Sequence, residues 1–182
     1  MPAIIESLNE LSLTPRDLTH VAVALGPGGF SAVRVGISAA LGLVVSQQLP
    51  VIGVPTHDIE VEPYIAGASS SSPIYSLIPA GRNEISWNRH VPDSETSIGI
   101  AAPDDLAAEI EPGALLCGEA CDLMSGLVDQ SRFLGHAAPT RDPKVILSMA
   151  SRMFDDGFST PYEELRPIYA RPPSISKPKP AK

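Results

Sequence analysis

The fold class predicted from the sequence is α/β with parallel strands, and three observations carry it. His20 to Leu25 is a short, nearly continuous apolar run, the pattern of a strand covered on both faces. Gly26-Pro27-Gly28-Gly29 then forms a turn that few side chains tolerate, leading into a stretch with Val33, Ile37, Leu41, Val44 and Val45 on one helical side. Pro50 bars continuation of that helix, and Val51 to Val54 is a second buried-strand pattern, closed by Pro55.

The remaining elements follow in chain order. Ala3 to Leu11 places Ile4, Ile5, Leu8 and Leu11 on one helical face, and Thr14-Pro15 reads as a cap followed by a first-turn proline. Ser31 is positioned to cap the helix from Ala32 to Gln48. Glu60 to Ser72, with Pro63, Gly67 and the serine run Ser69 to Ser72, reads as an irregular, flexible surface loop and a lobe boundary. Ile74 to Ile78, the turn Gly81 to Asn83 and Glu84 to Arg89 predict a hairpin that carries Trp87 and opens a second sheet. A short helix at Asp104 to Ile110, a strand at Ala114 to Cys117 and a helix at Asp122 to Val128 come next. The last helix, Asp142 to Phe154, is capped by Asp142 with Pro143 in its first turn and lines one face with Ile146, Leu147, Ala150 and Phe154. The expected organisation is a first lobe over 1–62, a second α/β lobe over 63–173 and a disordered basic tail over 174–182.

Composition narrows the function. Lys and Arg number 13 against 21 Asp and Glu, a net charge of −8, so the chain lacks the clustered cations that grip phosphates, and contact with RNA is expected only through a partner. Cys117 and Cys121 form a lone C-x-x-x-C and read as two reduced thiols. Met-Pro-Ala-Ile-Ile-Glu has no signal-peptide pattern, and the longest uncharged apolar run, Ile37 to Val45, is far short of the roughly 20 residues that span a bilayer, so a soluble cytoplasmic protein is expected.

Candidate chemistry is sparse. The glycine loop could cradle phosphate, but it lacks the Lys and Ser/Thr of a P-loop, and Ser31 stands where a dinucleotide fingerprint has its third glycine; the tight-turn reading is preferred. His57 has Val61 at i+4, so no two-histidine metal face forms, and it reads as a surface or capping residue; Asp58 and Glu60 beside it do not share a helical face. Ser31 has no nearby base, and Arg82 and Glu84 read as solvated charges at a hairpin turn. No catalytic residue, metal site or cofactor is expected.

Gly26 to Gly36, reading Gly-Pro-Gly-Gly-Phe-Ser-Ala-Val-Arg-Val-Gly, resembles the Gly-Pro-Gly-Ser-Phe-Thr-Gly-Leu-Arg-Ile-Gly signature of the bacterial tRNA threonylcarbamoyladenosine dimerization-subunit family (TsaB, or YeaZ, in the glycoprotease group). The signature residues here are Gly26, Pro27, Gly28, Gly29, Phe30, Ser31, Arg34 and Gly36. Val51-Ile52-Gly53-Val54, Ala80-Gly81-Arg82-Asn83-Glu84-Ile85 and Leu165-Arg166-Pro167-Ile168-Tyr169-Ala170-Arg171 agree with family segments in the same order, so the resemblance runs from Met1 to about Pro173.

This resemblance implies an actin-like ATPase (ribonuclease H-like), two-lobed fold. It also implies a non-catalytic scaffold subunit that pairs with a catalytic transferase, TsaD, joined by an ATPase subunit, TsaE, with a homodimer as another pairing. The family's partner surface uses the first two helices, which implies an interface at Ile4, Ile5, Leu8, Val33, Gly36, Ile37 and Ala40. The catalytic relative holds its metal through a His-x-x-x-His pair just after the strand matching Val51 to Val54, where this chain has none. There are departures too. Family members begin with a strand resembling Ile-Leu-Ala-Ile-Asp-Thr-Ser and two more strands, whereas Met1 falls inside the first helix, so an N-terminally truncated fold is expected, with His20 to Leu25 deprived of neighbours. Pro79 replaces the family's Asp, and Ser31 and Ala32 replace its Thr and Gly. The rival readings are an ATP-dependent phosphotransferase or a metallopeptidase of the same superfamily, or a non-functional gene fragment.

Overall fold

In the computed structural model, which describes residues 2–65, 72–92, 94–135 and 141–171, the two apolar runs pair as parallel strands. Strand β1 (Val21–Ala24) lies beside β2 (Val51–Val54), with the Val21 amide donating to the Pro50 carbonyl at 3.0 Å and the Leu25 amide to Val54 at 2.9 Å. Helix α1 (Pro2–Glu10) precedes them, and α2 (Phe30–Val44) connects them, burying Ile37, Ala40, Leu43 and Val44 against Val23 and Val51. Helix α5 (Pro143–Asp155) covers the opposite face, setting Ala150, Val145, Ile146, Met149 and Met153 against Ile52 and Val54. Coverage on both faces explains why these strands read as unbroken apolar runs, and each fully buried side chain there contributes roughly 1.5–3 kcal/mol of transfer free energy.

Val21 and Leu25 direct their amides at β2, so with a strand period of two Ala22 and Ala24 direct theirs at the other edge. Among the described residues that edge has no strand neighbour.

The second sheet has the order β5-β4-β3-β6. Strand β3 (Ile74–Pro79) pairs antiparallel with β4 (Ile85–His90), β4 with β5 (Ser97–Ala101), and β3 runs parallel to β6 (Leu115–Cys117). On one face α4 (Pro103–Glu109) and the turn after β6 pack Leu106, Ile110 and Met124 against Tyr75, Leu77, Ile85 and Leu116. On the other lies α3 (Thr56–Ile65), which serves both sheets: Ile59 packs with Ile52 and Val54, while Val61 packs with Ile74 and Cys117.

Several sequence expectations are corrected. Residues 56–65 are a helix despite Pro63, not the start of a loop; Ser69–Ser71 and the tail 174–182 lie outside the described residues. Strand β5 was not expected at all. The helix expected at Asp122 to Val128 is a single 3-10 turn, Cys121–Met124, after which Gly126 takes φ +81°. Leu147 of α5 points to solvent, and Val145, Met149 and Met153 join the apolar face instead. Helix α5, Tyr162 and Leu165 pack against the first sheet. Among the described residues no helix is long and apolar enough to cross a membrane.

Candidate functional site

The glycine loop joins β1 to α2 in a conformation that its neighbours enforce. Gly26 has φ +98°, and a Cβ there would lie 2.5 Å from the Ile168 carbonyl oxygen, so glycine is required both by the backbone angle and by the close approach of the C-terminal segment. That segment is stitched on by the Ile168 amide, which donates to the Leu25 carbonyl at 2.7 Å, and the Thr56 amide donates to the Gly26 carbonyl at 2.8 Å. The Gly26-Pro27 peptide is cis. Gly29, not Ser31, is the N-cap of α2, and Ser31 is an exposed first-turn residue.

Phe30 and Arg34, one helical turn apart, hold Tyr169. The Phe30 and Tyr169 rings stack with centroids 5.0 Å apart, the Arg34 guanidinium lies 4.0 Å from the Phe30 centroid, and Arg34 Nε donates to the Tyr169 hydroxyl at 2.5 Å. Beside this cluster a cleft of about 550 Å³ separates Gly28 and Gly29 from the Pro79–Arg82 turn, with Tyr169 to Arg171 along it. Glu84 is not a solvated turn charge: it forms an ion pair with Arg171, tying the C-terminal segment to the hairpin, while Arg82 is exposed.

His57, expected at the surface, is buried. Its Nδ1 lies 2.7 Å from Ser76 Oγ and its Nε2 3.1 Å from Ser86 Oγ, so both ring nitrogens are engaged by the second sheet. Burial, aided by the Arg141 charge, lowers its pKa from 6.5 to about 4, so the ring is neutral at pH 7. Val61 at i+4 is itself buried in an apolar cluster, and among the described residues no group of three His, Cys, Asp or Glu is placed to hold a metal ion. Asp58 and Glu60 both have pKa values raised by burial, and Glu60 Oε1 pairs with Arg141 Nε at 2.5 Å. Cys117 and Cys121 are buried free thiols, both pushed up by desolvation, Cys121 to about 12.

The helix residues that the resemblance placed at a partner interface divide by burial. Leu8, Ile37 and Ala40 face the chain's own core, Ile4, Val33 and Gly36 are half-buried, and Ile5 is exposed. The outward side of α2 is instead formed by Val35, 68% exposed, with Ser38, Ala39 and Gly42 at helical spacing and Val45 just beyond. After Arg34 this helix has no charged residue.

The family model for tRNA N6-adenosine threonylcarbamoyltransferase, TsaD, matches residues 1–110. The chain belongs to that family. It is similar to the tRNA threonylcarbamoyladenosine biosynthesis protein TsaB of Escherichia coli, at 26% identity over 94% of this chain and 78% of that protein. It is 30% identical to an uncharacterized protein of Mycobacterium tuberculosis over 63% of this chain, and that match spans 50% of the relative's length. The tRNA N6-adenosine threonylcarbamoyltransferase of Anaeromyxobacter dehalogenans is 28% identical over 85% of this chain and 46% of its own. Among solved structures, YeaZ from Pseudomonas aeruginosa superposes with a TM-score of 0.70 at 21% identity, covering 92% of this chain and 82% of that one. The fold is thereby the actin-like, ribonuclease H-like α/β class, and the chain is TsaB-like.

Proposed function

We propose that this chain is a docking subunit for threonylcarbamoyl transfer to N6 of adenosine in tRNA, binding the catalytic transferase of its own family through α1 and α2 while transferring nothing itself. The observation that carries this reading is the outward side of α2, where Val35, Ser38, Ala39, Gly42 and Val45 present apolar and small side chains without a charge. Small residues allow close backbone approach, and two helices can supply much of the roughly 800 Å² per partner that a stable interface needs. Ile5 extends the exposed apolar surface on α1.

His57 supports the non-catalytic half of the proposal. It stands just after β2, and it is sealed between Ser76 and Ser86 with Val61 at i+4, an arrangement suited to joining α3 to the second sheet rather than to binding a metal. The subunit acts by preferring the assembled conformation of its partner and shifting the equilibrium toward it. With a net charge of −8 it leaves tRNA to the transferase, and an ATPase subunit joins the pair in the cytoplasm.

Reconstitution tests the proposal: threonylcarbamoyl incorporation into tRNA is measured with the transferase alone, with this chain added, and with its Val35→Arg variant. Activity that rises on adding the chain and falls about tenfold or more for the variant is expected, since a charge buried at an interface costs at least 1.4 kcal/mol. Transfer by this chain alone, or a transferase indifferent to it, overturns the proposal.

A further inference from the structure

The arginines of this chain differ in how they are satisfied. Arg89, Arg141, Arg152 and Arg171 each form an ion pair with a glutamate, as expected where 21 Asp and Glu surround 13 Lys and Arg. Arg34 and Arg166 do not: among the described residues neither is bonded to a carboxylate, and each uses only its Nε in a hydrogen bond. Arg34 Nε donates to the Tyr169 hydroxyl at 2.5 Å, and Arg166 Nε donates to the Glu163 carbonyl at 3.0 Å. The terminal Nη groups of both side chains are therefore without a hydrogen-bond partner among the described residues.

The two side chains line one groove of about 490 Å³, between Ile37 and Ser38 of α2 and Pro167 and Tyr169 of the C-terminal segment. No acidic residue lines it. Helix α2 contains no Asp or Glu, and Glu163 and Glu164, exposed just before Arg166, pair with neither arginine. Residues 172–182 carry Lys177, Lys179 and Lys182 and no acidic side chain, so they supply no side-chain carboxylate to the groove. Arg34 is also pre-oriented. Its guanidinium lies 4.0 Å from the Phe30 centroid and 5.5 Å from the Tyr169 centroid, so much of the rotamer freedom that an arginine loses on binding is already lost in the free chain.

We infer that this groove receives an Asp or Glu side chain of the transferase, its carboxylate held end-on by the Nη groups of Arg34 and Arg166. The inference rests on the docking role proposed above and names what the partner presents at that site. With Nε engaged inside the chain, side-on pairing is closed to both arginines and the end-on fork remains. Ser38 belongs both to the groove and to the uncharged outward side of α2, which places the charged anchor at the margin of the apolar contact. The apolar contact then supplies area, while the charge pair selects the partner and fixes its register. A tRNA phosphate has matching chemistry, but gripping nucleic acid takes clustered cations, and two guanidinium ends on a chain of net charge −8 do not provide them.

Calorimetric titration with the transferase of the same genome, at low and high salt, tests the inference on the native chain, Arg34→Met, Arg166→Met and Lys144→Met. Each arginine variant is expected to weaken binding about tenfold or more and to flatten the fall of affinity with salt. Lys144→Met, which removes a cation from α5 on the opposite face of the first sheet, should change neither. Arg166 lies outside the stacked Phe30–Tyr169 pair, so its variant reports on the groove independently of that cluster, and unchanged thermal denaturation of both variants checks the fold. Treating the complex of Arg34→Lys with a carbodiimide, which takes up the water lost as an amide forms, should join residue 34 to an Asp or Glu of the transferase, identified by mass spectrometry. A complex that forms without that link overturns the inference. Arginine variants that bind like the native chain, while Val35→Arg does not bind, overturn it and leave the docking role standing; a native chain that does not bind the transferase overturns both. Binding of tRNA by this chain alone that is abolished in Arg34→Met and Arg166→Met would assign the groove to phosphate and overturn the inference as well.

Discussion

Acidification is expected to weaken the fold through His57, and the size of the effect follows from its surroundings. The ring is 6% exposed, held by Ser76 and Ser86, and has a pKa lowered from 6.5 to about 4, first by burial and then by the Arg141 charge. A histidine whose folded pKa lies below its unfolded value binds its proton more readily when unfolded. Its contribution is therefore intact above pH 6.5, declines as pH falls toward 4, and is fully lost below that. The difference of about 2.5 pH units corresponds to about 3 kcal/mol, a large fraction of the 5–15 kcal/mol that typically stabilises a domain. Asp58 and Glu60 work in the opposite sense, because burial raises their pKa values and protonation relieves that cost. The His57 effect is isolated by urea denaturation of the native chain and of His57→Gln across the same pH range. The difference in stability between the two should shrink by about 3 kcal/mol from pH 6.5 to 4. Parallel profiles for the two proteins would refute the reasoning.

Other perturbations have equally direct readouts. Gly26→Ala forces a side chain into φ +98° and against the Ile168 carbonyl, costing about 2 kcal/mol or more, so thermal denaturation should shift down by roughly 4–8 °C. Arg141→Met removes the cation between Glu60 and Glu119 and leaves the largely buried Glu60 uncompensated, a loss of roughly 1–3 kcal/mol in urea denaturation that Glu60→Gln in the same chain should partly restore. Cys117 and Cys121, buried with elevated pKa values, should resist iodoacetamide at neutral pH in the folded chain and react once it is unfolded, as followed by mass spectrometry.

The first α/β unit was legible because each signal in it is local. Apolar runs gave β1 and β2, the glycine turn gave the loop, and periodic aliphatic residues gave α2. Asp142 caps α5 as its residue type suggests, accepting from the Lys144 amide at 2.9 Å. What stayed hidden depends on distant contacts. Helix α3 contains Pro63 and has little amphipathic character, because it is packed between two sheets rather than against one. Strand β5 has Gly99 at its centre, a residue that argues against a strand until the Trp87 ring that needs the space is seen. The role of His57 rests on serines 19 and 29 residues away, a juxtaposition no local pattern reveals. The resemblance pointed to α1 and α2 but could not show burial along them: Ile37 and Ala40 are core residues, and the surface beside them belongs to Val35, Ala39 and Gly42.

The central claim, that α1 and α2 dock on a catalytic relative, is tested most directly by co-expressing this chain with the transferase of the same genome and determining the mass of the product by size-exclusion chromatography with light scattering. The expected result is a one-to-one complex that is lost when Val35 or Gly42 is changed to Arg and kept when Ile98 is changed to Lys. A folded chain that elutes apart from the transferase, or a complex indifferent to charges on α2, would contradict the account.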